Sequence, residues 1–122
     1  MTNTHIHNLL KNVLNLPIGG GSGKSIDDPI IIELTKENDY VGTEYRIIQL
    51  LGILNGFTWQ VIEQRLNFPD DKKIDQLKIE ITQNNTGQKM IKEYFFDITL
   101  CFNKLESDVS DYLREKRNSL SK

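Results

Sequence analysis

The chain carries one cysteine, Cys101, no alanine, two histidines, His5 and His7, and three prolines in 122 residues. A single Cys excludes an internal disulfide framework and fits a reducing compartment. Two histidines near the N-terminus remove imidazole from any active site built in the body of the chain. Together with the lone thiol they exclude a Cys/His zinc module. Charge of one sign is also scarce: 15 Lys+Arg stand against 17 Asp+Glu, a formal net charge of −2. That balance excludes a strongly basic nucleic-acid binder. No run approaches the roughly 18 apolar residues of a spanning helix. The N-terminus lacks a basic n-region and an unbroken apolar h-region, so no signal peptide is expected. The location these absences predict is cytoplasmic, with no nucleic acid and no membrane among the partners.

What is present is enough for a core. Apolar residues make up 38% and charged residues 26%, with both signs interspersed, a mixture that folds rather than stays disordered. The length is that of one domain. Within residues 4–16, Ile6, Leu9, Leu10, Val13 and Leu14 recur at helical spacing, with Thr4 as cap and Pro17 as stop. Residues 1–17 therefore read as an amphipathic N-terminal arm. Residues 18–28 read as a Gly-rich loop. Residues 29–122 read as a single α+β domain, starting with a short strand over 30–34.

The spacing predicts the main helix over 39–54, capped by Asn38 or Asp39 and stopped at Asn55-Gly56. Its apolar stripe combines Val41, Tyr45, Ile48 and Gly52 with Tyr40, Ile47, Leu51 and Leu54. Gly52 on that stripe predicts a close approach of helix to sheet. Alternation then predicts strands over 57–67, 74–82 and 89–102, separated by turns at Phe68–Asp71 and Asn84–Gly87. A phase change at 61–63 predicts a β-bulge. Helical spacing returns at Leu105, Val109, Tyr112 and Leu113, over 105–118. The fold class is α+β: a two-layer sandwich of one long helix against an antiparallel meander of about four strands, with N-terminal and C-terminal helices.

The segment Ile18-Gly19-Gly20-Gly21-Ser22-Gly23-Lys24-Ser25 resembles a phosphate-binding P-loop at Gly23, Lys24 and Ser25. Ile18 replaces the first glycine, and Pro29 blocks the helix that should follow. The three matching residues remain weak anion-binding candidates, and nucleotide binding is the least favoured reading. His5 and His7, two apart on a helix, do not chelate together, so no metal site is expected. Cys101 has no base near it in sequence, and it shares its strand face with Phe95, Asp97 and Thr99. The acids most apt to approach the core are Glu33, Glu44, Glu63 and Asp97. A buried Asp97 needs a partner such as Arg46 or Arg65. Trp59, on the bulged strand, joins Tyr94, Phe96 and Asp97 as candidate pocket or interface residues.

No catalytic residue and no cofactor is expected. These readings favour a small non-enzymatic, intracellular protein-binding domain, in its most specific form a bacterial immunity- or inhibitor-type protein that neutralises another protein, or one that self-associates. The alternative is a small-ligand-binding or degenerate enzyme domain with a pocket between helix and sheet.

Overall fold

The computed structural model describes residues 16–35 and 38–120, the last four as backbone only. The helix expected over residues 4–16 lies outside them, apart from Leu16. In chain order the elements are β1 (Ile18–Gly20), β2 (Ile30–Ile32), α1 (Tyr40–Asn55), β3 (Phe57–Asn67), β4 (Ile74–Gln83), β5 (Lys89–Asp97) and α2 (Thr99–Leu120). The protein is α+β, with a sheet of order β1-β2-β5-β4-β3.

The meander β3-β4-β5 is antiparallel, as alternation predicts. The sheet differs from expectation in two ways. It has a fifth strand inside the segment read as loop, because Ile18 pairs with Ile32 and Gly20 with Ile30 across the turn. It is also mixed, because β2 runs parallel to β5, with Ile30 beside Phe96. The strand expected over 30–34 is present as β2, Ile30–Ile32. The three residues of β1, two of them glycine, leave no periodicity to read, and their position comes from pairing with β2.

Helix α1 carries the chain from β2 to β3 on the far edge of the sheet. Its start is fixed by Asp39, whose carboxylate accepts from the Gly42 N–H at 3.0 Å. Its end is fixed by Gly56, at φ 74°, whose N–H donates to the Gly52 carbonyl. Both caps are those the sequence predicts. The buried face centres on Glu44, Ile47, Ile48 and Leu51. Tyr45 and Leu54, expected in the buried stripe, are exposed.

The core joins Ile47, Ile48 and Leu51 of α1 to Ile18, Ile30 and Ile32, to Phe57, to Leu77, Ile79 and Ile81, and to Phe96. On the opposite sheet face, register aligns Glu63, Lys78 and Glu93 across three strands. Opposite charges facing one another stabilise such a solvated face by a few tenths of a kcal/mol per pair. The predicted bulge is present between Val61 and Glu63. It turns Ile62 outward and brings Gln64 and Leu66 into line with Leu77 and Asp75.

The last strand and the last helix meet earlier than alternation suggests. β5 ends at Asp97 and α2 begins at Thr99. The Asp97 carboxylate accepts from both the Thr99 N–H, at 3.0 Å, and the Thr99 hydroxyl, at 2.6 Å. This side-chain turn, just before the cap position Ile98, leads into a helix that starts six residues before the apolar spacing becomes legible. Cys101 accordingly lies in the first turn of α2, not on a strand. Replacing Asp97 by Ala should lower stability by about 1 kcal/mol, the usual loss for a helix cap. Chemical denaturation with far-ultraviolet circular dichroism measures it.

Candidate functional site

Two places stand out: a buried carboxyl pair under α1 and an apolar stripe on α2 that is exposed among the described residues. Glu44 lies one turn before Ile47 and Ile48, so the same periodicity that buries them buries it. Its exposure is 0%. Asp75 lies in phase with Leu77, Ile79 and Ile81 on β4, which aims it at the helix; its exposure is 1%. Neither Glu44 oxygen meets an N–H or O–H donor among the described residues. Burial, followed by the neighbouring Asp75 carboxyl, pushes the Glu44 pKa up to about 10. Glu44 therefore holds its proton at neutral pH beside the Asp75 carboxyl. Asp75 accepts from the Gln64 side-chain amide at 2.8 Å. The bulge is what makes that bond available, since it turns Gln64 into phase with Leu77.

Tyr40 and Cys101 border the pair. Burial raises the Tyr40 pKa, with smaller contributions from Asp75, Glu44 and Cys101. Burial also raises the Cys101 thiol, with Glu44 adding to it. The thiol lies 3.9 Å from the Ile32 carbonyl and 3.8 Å from that of Glu33. Asn38 donates to the Cys101 carbonyl at 3.1 Å. This cluster stores a proton at the joint between α1, β2, β4 and α2. With Glu44 and Asp75 closed to solvent, the proton bears on folding. Sequence reasoning placed Glu44 near the core and missed Asp75. The signal was present in its phase with Leu77.

Among the described residues, the contacts that anchor α2 lie at its start. Lys73 bonds to Asn103 and Glu106 and lies over the Phe102 ring. Every residue from Asn103 to Lys116 is exposed. Within that stretch Val109 is 55%, Tyr112 58% and Leu113 59% exposed. A space of ≈ 370 Å³ on this flank is lined, among the described residues, by Phe102, Leu105, Glu106, Val109 and Ser110. Large apolar side chains aligned on one helix face mark a contact surface more often than scattered ones do.

The four residues singled out from the sequence do not form one site. Trp59, on β3, packs edge-on to Tyr45 with ring centres 5.5 Å apart, and its indole N–H donates to Gln49 at 2.8 Å. Tyr94 and Phe96 lie on β5 in register with Leu77 and Asp75. They share the α1 face of the sheet with Trp59, two strands away. Phe96 is wholly buried and Tyr94 half-buried. Burial raises the Tyr94 pKa. Asp97 points from the opposite face, and its partner is Thr99 rather than Arg46 or Arg65. Arg46 donates to the Thr43 hydroxyl, and Arg65 pairs with Glu63.

In the glycine-rich loop, Gly23 is buried while Lys24 and Ser25 are exposed. The loop amides bond within the loop and its flanks: Gly21 to the Pro29 carbonyl, Gly23 to the Asp28 carbonyl, Ser22 to the Asp28 carboxylate and Lys24 to the Ser22 hydroxyl. The Ser22 side chain, then its backbone N–H, holds the Asp28 carboxyl below its ordinary value. A strand rather than a helix follows the loop.

Among the described residues no group of three or more His, Cys, Asp or Glu is placed to hold a metal ion. No helix among them is long and apolar enough to cross a membrane. Compared with protein-family models, with curated proteins and with solved structures, the chain matches none.

Proposed function

We propose that this chain is a non-enzymatic protein-binding domain whose contact surface is the exposed stripe of α2. The observation that carries the reading is that stripe itself. Leu105, Val109, Tyr112 and Leu113 recur at helical spacing on a stretch where every residue is exposed. An amphipathic helix projecting from a folded body is a common presentation for helix-to-helix or helix-in-groove recognition. The partner is another protein, neutralised by this chain in the most specific form of the reading, or a second copy of the chain.

Val109→Asp tests the assignment. A charge at an exposed position leaves the body intact, so its stability should change by less than about 0.5 kcal/mol. Complex formation should be lost. A melting temperature that falls as for a core substitution, or a complex that survives the charge, would remove α2 as the contact surface.

The small-ligand reading favours a different place, the interface between α1 and the sheet. Ile47, Ile48, Leu77, Ile79, Ile81 and Phe96 fill that interface with essentially no exposure.

A further inference from the structure

We propose that Asn55 is a modification site: its side-chain amide is lost by attack from the Gly56 backbone nitrogen, and the fold withholds this reaction until the end of α1 opens. Asn55-Gly56 is the one Asn-Gly pair in the sequence. Glycine has no side chain to shield its nitrogen, so ring closure onto the preceding side chain meets least obstruction there. The fold requires the same glycine, because the helix stop holds position 56 at φ 74°. The pair that ends α1 therefore carries a labile bond with it.

The step balances within the chain and water. Solvent base takes the Gly56 N–H proton. The freed nitrogen attacks Cγ of Asn55; the N–Cγ bond forms and the Cγ–Nδ2 bond breaks. Nδ2 takes a proton from solvent and leaves as ammonia. Water then opens the cyclic imide at either carbonyl. One opening gives aspartate, and the other gives an isoaspartyl link that routes the backbone through the side chain. Both leave a carboxyl where an amide stood.

Both reacting groups are tied in the folded chain. The Asn55 Nδ2 donates to the Leu51 carbonyl at 2.8 Å, which holds the side chain back along the helix. The Gly56 N–H donates to the Gly52 carbonyl, which keeps its nitrogen protonated and turned into the helix. The Gly56 carbonyl accepts from the Asn84 N–H at 2.9 Å, and Phe57, the next residue, is buried as the start of β3. Asn55 itself is exposed, so water and base reach it. Geometry is what the fold withholds. Releasing it takes a local opening, in which the last turn of α1 comes away from β3 and from the turn at 84–87. The product does not restore the lock. A carboxylate cannot donate to the Leu51 carbonyl, and the helix dipole opposes a negative charge at this end.

Peptide mapping of the full chain is the test. Trypsin cuts after Arg46 and Arg65, and the peptide between them has Asn55 as its only asparagine. The chain is held at mildly alkaline pH, folded in buffer and unfolded in guanidinium chloride. The mass gain from amide to acid on that peptide is followed with time. The unfolded chain should convert, and the folded chain should convert at least about tenfold more slowly. Gly52→Ala, whose Cβ crowds the Phe57 carbonyl beside the helix stop, should raise the folded rate several-fold. Guanidinium below the unfolding transition should do the same to the wild type, which keeps the test open should that variant not fold. A folded chain that converts as fast as the unfolded one overturns the protection. A peptide that stays unconverted in the unfolded chain overturns the site. A folded rate that neither Gly52→Ala nor low denaturant changes overturns the gating by the helix end. Converted protein, separated by anion exchange, should unfold at a lower temperature than the unconverted; equal midpoints would overturn the loss of the lock.

Discussion

Glu44→Gln should flatten the pH dependence of stability. Folded, Glu44 keeps its proton up to about pH 10; unfolded, it ionises near its ordinary 4.5. Between those values the unfolded chain binds fewer protons than the folded one. Stability therefore falls as pH rises, by up to about 1.4 kcal/mol per unit from this group. Its contribution is most favourable below the ordinary Glu range. It declines through neutrality and levels off above about pH 10. At pH 7 the accumulated loss relative to acid is about 3 kcal/mol. Glutamine keeps the length of the side chain and donates an N–H to Asp75 without a titrating proton. The variant should equal the wild type near pH 4 and exceed it progressively toward pH 8.

The groups facing Glu44 are Asp75 from β4, Tyr40 from the first turn of α1 and Cys101 from α2. Tyr40 and Cys101 are raised from ordinary values that already lie above pH 8, so a scan from pH 5 to 8 isolates the glutamate. Urea unfolding across that range is the measurement. Parallel curves for the two proteins would mean that Glu44 is ionised in the fold.

Gly52→Ala should destabilise the protein by about 2–3 kcal/mol, although alanine favours a helix by about 1 kcal/mol relative to glycine. A Cβ at Gly52 would lie 2.6 Å from the Phe57 carbonyl oxygen and 3.3 Å from its ring. The ring can turn, but the carbonyl belongs to the first residue of β3 and moves only with the strand. The Gly52 carbonyl also accepts the N–H of Gly56 that closes the helix. Overpacking here therefore strains the helix stop and the strand start together. Thermal unfolding of the variant measures the loss. A Gly52→Ala protein as stable as the wild type would mean that β3 shifts away freely.

Legibility in the sequence followed the range of the forces involved. The caps at Asp39 and Gly56, the bulge after Val61 and the three long strands depend on neighbours within a few residues, and pattern alone found them. The β-branched run over 30–34 announced β2, but β1 depends on Ile18 meeting Ile32, and the parallel pairing of β2 depends on Ile30 meeting Phe96, contacts that no local period announces. The start of α2 was read too late because Asp97 belongs by alternation to the strand while its carboxylate begins the helix. Glu44 was expected near the core, one of four acids so placed. Its pairing with Asp75 needed the angle at which α1 crosses the sheet. Of the candidate site, the α2 stripe was legible as periodicity. That nothing among the described residues covers it is a tertiary fact.

The bulge in β3 has a further consequence, for solubility. β3 is an edge strand of eleven residues, long enough to template addition of a foreign strand. Its ladder is broken between Val61 and Glu63, and Glu63 and Arg65 charge the half that follows. A broken, charged edge is a poor template for strand-to-strand aggregation. At the other edge β1 is only three residues long, two of them glycine. The same irregularity that delivers Gln64 to Asp75 thus also guards the sheet against growing beyond its five strands.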